Sequence, residues 1–238
     1  MEQLPLPVQL APEANLDSFI PGPNAEALAA CAGWARGEGE PFALVCGFPG
    51  TGKTHLLQAA CQAALAAGHS AQYLPLRLAG LTPEVLSGLE GVGRIALDDC
   101  DAVAGDAAWE SALFTLYNRL RDSGGGLLAS AAQPAAALPF ALPDLRSRLG
   151  WGPCYRLQPL GEADCQRLLC SAAGRRGLRL GPELVDYLMR RLSRDPGSLL
   201  AFLAALDRAS LAARRAPSIP LARQVIEDLS GAGGLGQR

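Results

Sequence analysis

The sequence predicts an α/β protein: a five-stranded parallel sheet flanked by helices, followed by a small all-α domain. Three observations predict it. Short apolar runs alternate with helical patterns as far as residue 157, the pattern of repeated strand–helix units and hence of a parallel sheet covered on both faces. One strand-to-helix junction, Gly47-Phe48-Pro49-Gly50-Thr51-Gly52-Lys53-Thr54, is a complete G-x-x-x-x-G-K-[ST] phosphate-binding loop. From Pro159 onward no strand pattern occurs, only apolar residues at helical spacing.

Bulk properties set the limits. With 238 residues, 49% of them hydrophobic, the chain can form one large domain or one domain with a small companion. No run reaches transmembrane length, and Met1-Glu2-Gln3 lacks the basic start of a signal peptide, so no membrane association is expected. Seven cysteines without a C-x-x-C pair read as buried thiols in a reducing, cytoplasmic setting. Residues 1–157 carry nine basic and fifteen acidic side chains, residues 158–229 eleven and eight. That net +3 on the second segment is far short of a DNA-binding domain, and solvated helix faces account for most of these arginines.

Taken in order, Gln3-Leu4-Pro5-Leu6-Pro7-Val8 has prolines at alternate positions, which prevent a helix and favour an extended chain. Spacing alone predicts a disordered tail over residues 1–12. A helix follows from Asn24, read as its N-cap, to near Gly37. Phe42–Cys46 is the strand before the phosphate-binding loop, and the helix after it closes at Gly68. Ala71–Pro75 is a second strand. Thr82 is read as the cap of a helix with Pro83 at its first position. The run from Arg94 is a buried strand ending in Asp98-Asp99. Helix 107–121 has Trp109, Leu113, Leu116 and Leu120 on one face, and Leu127–Ser130, a short helix 144–148 and a strand 154–157 complete the α/β part. Helices at 161–175, 181–192, 197–214 and 219–229 form the small bundle, and residues 230–238 are a glycine-rich, disordered tail.

The loop carries the first functional expectation. Its glycines let the backbone curl so that N–H groups converge on a phosphate, helped by the helix N-terminus. Lys53 is expected on the β- and γ-phosphates and Thr54 on Mg²⁺. A glycine-rich turn ending by accident in Lys-Thr is the competing reading, and composition weighs against it. Of 21 basic side chains, the only lysine is Lys53, placed where a compact ammonium fits and a planar guanidinium does not. Asp98 and Asp99 end an apolar strand 45 residues later. A capped strand end is the bland reading. Beside a phosphate-binding loop, Asp98 is expected to hold Mg²⁺ and Asp99 to polarise the attacking water. Arg148, before the last strand, is either a surface arginine or a finger aimed at a neighbour's γ-phosphate.

These segments together resemble the AAA+ module of the bacterial replication initiator DnaA. Gly52-Lys53-Thr54-His55-Leu56-Leu57 resembles that family's phosphate-binding loop, Asp98-Asp99 its Walker B pair, and Ser147-Arg148-Leu149-Gly150-Trp151-Gly152 its arginine-finger segment. Leu206-Asp207-Arg208 is similar to a helix of its lid. The resemblance runs from about Leu16 to Leu229 and does not include the family's helix-turn-helix domain. In length, and in Leu116-Tyr117-Asn118-Arg119 and Asp207-Arg208-Ala209-Ser210, the chain is similar to the Hda subfamily, regulatory inactivators of DnaA.

The resemblance implies an AAA+ P-loop fold with a nucleotide-binding domain at 13–157 and a helical lid at 158–229. It implies ADP or ATP with Mg²⁺ as cofactors, and Arg148 acting in trans on ATP held by DnaA. It also replaces the disordered-tail reading of residues 1–12. Gln3, Leu4, Leu6 and Val8 are similar to the Q-L-[SP]-L-P-L peptide that binds the β sliding clamp of DNA polymerase III, with DNA reached indirectly through the clamp. The prolines lower the ordering entropy lost on binding. Two departures stand out: the family's sensor 1 aspartate corresponds to Ala131, and its sensor 2 arginine to Gly197, where Arg194 or Arg208 could substitute. Weak intrinsic hydrolysis and stimulation of the partner's are therefore expected, making the protein a negative regulator of replication initiation. Homo-oligomerisation is left open, and the alternatives are a self-sufficient AAA+ ATPase of helicase-loader type and a phosphate-loop kinase. The kinase is disfavoured because the helical domain follows the strands instead of being inserted between them.

Overall fold

The computed structural model describes Leu10 and residues 14–231, with Glu90 as backbone. Gln3, Leu4, Leu6 and Val8, and the tail from residue 232, lie outside the described residues. The chain divides into two compact units between Gln158 and Pro159. In the first, five strands are β1 (Phe42–Cys46), β2 (Ala71–Pro75), β3 (Arg94–Asp98), β4 (Gly126–Ala131) and β5 (Cys154–Arg156). Its helices are α1 (Ala25–Arg36), α2 (Lys53–Ala66), α3 (Ala107–Ser123) and α4 (Pro143–Leu149). The strands are all parallel, in the order β2-β3-β4-β1-β5.

Alternation along the strands sorts the core into two layers. Val45, Tyr73, Ala96 and Leu128 pack with Trp34 of α1 and with Leu56, Leu57 and Cys61 of α2. Leu44, Leu97, Ala129 and Ala131 face the other way, onto Trp109, Leu113, Leu116 and Leu120 of α3. Central strand β4 is buried along its whole length, and its sequence is apolar apart from Ser130, as expected of a strand covered on both faces. The register sets Cys46 beside Ala131 and Val45 beside Ser130, bringing the carboxyl ends of β1 and β4 level.

Three local expectations fail, each for a physical reason. Asn24 does not cap α1. A 3-10 turn at Gly22–Asn24 puts it at φ −105° and ψ 23°, outside the extended region a side-chain cap needs. Instead its amide pairs with the backbone of Gln158, donating to the carbonyl at 2.9 Å and accepting from the N–H at 2.7 Å. Thr82 makes no capping bond either, and it leads into a single 3-10 turn, Pro83–Leu86, in place of a helix. Finally, not all the cysteines are buried: Cys154 and Cys170 are exposed, and all seven are free thiols. Cys154 is exposed as a residue, yet its Sγ lies 3.5 Å from that of buried Cys46, and desolvation of the thiol together with that neighbour pushes it up to about 12.

The second unit contains α5 (Glu162–Arg175), α6 (Pro182–Arg191), α7 (Pro196–Ala213) and α8 (Ile219–Gly231). Its core is Cys165, Leu168 and Leu169 with Leu184, Leu188, Phe202, Leu203, Leu206 and Val225. Asp195 caps α7 by accepting from Ser198 N at 2.7 Å. Among the described residues no helix is long and apolar enough to cross a membrane.

Candidate functional site

The loop between β1 and α2 is built on backbone that only glycine adopts without strain. Gly47 has φ 153° and Gly52 φ 96°. A Cβ on Gly47 would sit 2.9 Å from the Leu157 carbonyl oxygen, and one on Gly52 would sit 3.1 Å from the Phe19 ring. The loop is tied to β4 by Gly47 N donating to Ala131 O at 3.3 Å. Thr51 closes it from within, its hydroxyl donating to the Phe48 carbonyl at 2.8 Å. Phe48, Pro49 and Gly50 at the tip are exposed, as is Thr54.

Lys53 is the charge at the centre. Its side chain is buried, and Nζ donates to the carbonyls of Gly47 at 2.7 Å and Phe48 at 3.2 Å. Both partners are neutral, so the ammonium keeps an uncompensated charge inside a curled, N–H-rich loop. A buried cation in that position is satisfied by an anion. The residues present thus fit a phosphate group.

Asp98 lies at the carboxyl end of β3, buried and facing the α2 layer. Tyr73 of β2 donates its phenol to Oδ2 at 2.8 Å, and Ser130 of β4 donates its hydroxyl to Oδ1. Ser130 also accepts from Asp99 N at 2.9 Å. Asp98 is therefore held by two neutral donors, with no salt bridge to it among the described residues, which leaves its negative charge available to a metal ion. Thr54 and Asp98 fit the Mg²⁺ role on donor type. Burial of the Tyr73 phenol and the adjacent Asp98 charge both push its pKa up, so Tyr73 stays a donor throughout the physiological range.

Asp99 is placed differently. Its backbone is left-handed, φ 56°, and its carboxylate is engaged by Arg77 Nε at 3.0 Å. Arg77 also reaches Asp101 at 3.5 Å. The water-polarising group expected from sequence is thus turned into an ion pair. Tyr73 and Arg77 were not singled out by sequence reasoning. The available signal was their place in β2 (Tyr73) and just after it (Arg77), since β2 pairs with β3 and puts Pro75 beside Asp98.

Arg148 is not brought to the loop. It sits on α4, whose Leu145 and Leu149 belong to the α3-side core, the layer opposite α2. Its guanidinium stacks on Trp151, 4.0 Å from the ring centroid, and its Nη1 is buried without a hydrogen-bond partner among the described residues. The lead-in to α4 is fixed by Glu110 of α3. This buried carboxylate accepts from the backbone N–H of Gly105 at 2.7 Å, Ala141 at 2.9 Å and Leu142 at 2.6 Å.

Ala131 is buried in the α3-side core, and apart from the carbonyl that accepts from Gly47 N it offers the loop no polar side chain. Gly197 lies in the first turn of α7. Arg194 pairs with Glu162 at 2.9 Å, and Arg208 is exposed on α7.

Residues 162–226 match the family described as "Hda, lid domain". The fold of the whole chain is similar to domain III of the Thermotoga maritima replication initiation protein DnaA. The TM-score is 0.79 at 20% identity, covering 93% of this chain and 98% of that one. AMPPCP-bound DnaA from Aquifex aeolicus matches with a TM-score of 0.71 at 22% identity, over 84% of this chain and 66% of that chain. The Thermotoga maritima RuvB Holliday junction branch migration motor matches with a TM-score of 0.69 at 18% identity, over 93% and 73%. The fold is that of AAA+ proteins, a parallel five-stranded sheet flanked by helices and followed by a helical lid region.

Proposed function

We propose, from the premise that this is an Hda-like, DnaA-related AAA+ protein, that it is a regulatory adaptor which switches off replication initiation. The observation that carries this reading is the Hda-type lid at 162–226, in a chain whose base has the fold of DnaA domain III.

The loop from Gly47 to Thr54 holds ADP or ATP through backbone N–H groups and Lys53. Mg²⁺, held by Thr54 and Asp98, neutralises phosphate charge when bound. Intrinsic hydrolysis is weak: Ala131 supplies no sensor group, and Asp99 is paired to Arg77. Arg148 serves instead in trans, donating to the γ-phosphate of ATP held by DnaA and so promoting formation of DnaA–ADP. Gln3, Leu4, Leu6 and Val8 dock on the DNA-loaded β sliding clamp. Tethering raises effective concentration near replicated DNA, which makes inactivation conditional on a loaded clamp. Such a protein works in the cytoplasm.

The test is hydrolysis of DnaA-bound ATP with this protein, clamp and DNA added in every combination. The adaptor reading expects stimulation only when all are present, with loss of stimulation in Arg148→Ala. Turnover by the isolated protein at rates that DnaA and clamp leave unchanged would instead make it a self-sufficient ATPase of helicase-loader type.

A further inference from the structure

The three tryptophans have unequal surroundings. Trp34 and Trp109 are 2% and 8% exposed, whereas Trp151 is 62% exposed. Two cations attend the exposed ring: Arg148 at 4.0 Å and Arg121, near the end of α3, at 6.0 Å from its centroid. Arg121 is shared with exposed Asp122 at 3.4 Å, but among the described residues no carboxylate pairs with Arg148, and none accepts from its buried Nη1.

A guanidinium stacked on an aromatic face keeps its N–H donors in the plane around its rim. Stacking therefore fixes the direction of the fork while leaving the donors other than the buried Nη1 free for oxygen atoms of a partner. An exposed tryptophan beside an arginine is also the pairing of residue types that contributes most to protein association. The acceptor must come from another molecule, because the chain's own phosphate-binding loop adjoins the opposite core layer.

We propose that Trp151 is the docking side chain and the positioning residue of the Arg148 edge. It orients the guanidinium toward a phosphate oxygen of a nucleoside triphosphate carried by a DnaA-type module. The proposal rests on the adaptor reading given above and adds to it the residue that places the finger.

The experiment uses the full chain with ATP-loaded DnaA, clamp and DNA, and titrates wild type, Trp151→Leu, Trp151→Phe and Arg148→Ala. Trp151→Leu is expected to raise the concentration giving half-maximal stimulation and to lower the maximal rate, each roughly threefold to tenfold. Trp151→Phe keeps a stacking face and should retain most of the maximal rate. Thermal midpoint and nucleotide retention should match wild type in both, since the ring is largely exposed. A wild-type titration curve for Trp151→Leu alongside loss in Arg148→Ala would overturn the proposal and leave the adaptor reading standing. Full stimulation by Arg148→Ala would remove the finger assignment, and this proposal with it, while the stimulation itself would leave the adaptor reading standing. Equal losses of maximal rate in Trp151→Phe and Trp151→Leu would overturn the positioning role, because the phenyl face survives in one of them.

Discussion

Tyr73 and Asp98 are joined by a hydrogen bond of 2.8 Å between neighbouring strands, the phenol donating to one carboxylate oxygen while Ser130 occupies the other. The carboxylate cannot rotate without breaking both bonds. Tyr73→Phe removes the donor to Asp98, together with the bond between the phenol and Gln58, so it is expected to raise the Mg²⁺ concentration needed for nucleotide binding by roughly threefold to tenfold. Nucleotide affinity without Mg²⁺ should change little. Titrating Mg²⁺ against a fluorescent nucleotide checks both.

Glu110 gives a dependence on pH. Burial raises its pKa, but the backbone donors at Ala141, Leu142 and Gly105 outweigh it, and the net shift is downward. A carboxylate lowered on folding contributes stability that is present above its unfolded pKa, near about 4.5. That contribution is lost as pH falls through the lower, folded value. Thermal midpoints of wild type should therefore fall more steeply below about pH 4.5 than those of Glu110→Gln. At pH 7, Glu110→Ala leaves three backbone donors unpaired and should cost about 3 kcal/mol or more.

Gly152 and Gly174 should respond to alanine with opposite signs. A Cβ on Gly152 would lie 1.9 Å from the Phe42 carbonyl oxygen, whereas one on Gly174, inside α5, meets nothing within 4 Å. Gly152→Ala must push β1 and the lead-in to β5 apart, at a cost of about 3 kcal/mol. Gly174→Ala should stabilise by about 0.5–1 kcal/mol through lower unfolded-state entropy and better helix propensity. Denaturant melts of the two variants read the contrast directly.

Arg77→Ala frees the Asp99 carboxylate. The ion pair is solvent-exposed on the arginine side, so stability should move by less than about 1 kcal/mol. Basal ATP hydrolysis by the isolated protein is expected to rise roughly threefold to tenfold as the carboxylate becomes available to water, measured as phosphate release without DnaA.

Much of this was legible because it is written locally. β1, β2 and the phosphate-binding loop follow from short apolar runs and one motif, and α5 to α8 from helical spacing. The side-chain pairings were not legible, since they depend on which strands become neighbours. Tyr73 meets Asp98 across 25 residues of chain only because β2 lies beside β3. Asn24 looked like a cap because a cap is the local use of asparagine; its partner Gln158 is 134 residues away. The stacking of Arg148 on Trp151 spans three residues, yet it is a choice of rotamer that spacing does not encode.

The unequal burial of the tryptophans makes the unaltered chain its own optical reporter. A collisional quencher such as acrylamide reaches the indole of Trp151 and is shielded from those of Trp34 and Trp109. The quenchable part of the emission therefore comes from a single known position. Its loss on adding a non-fluorescent ligand or a tryptophan-free partner would time the covering of that edge without a label.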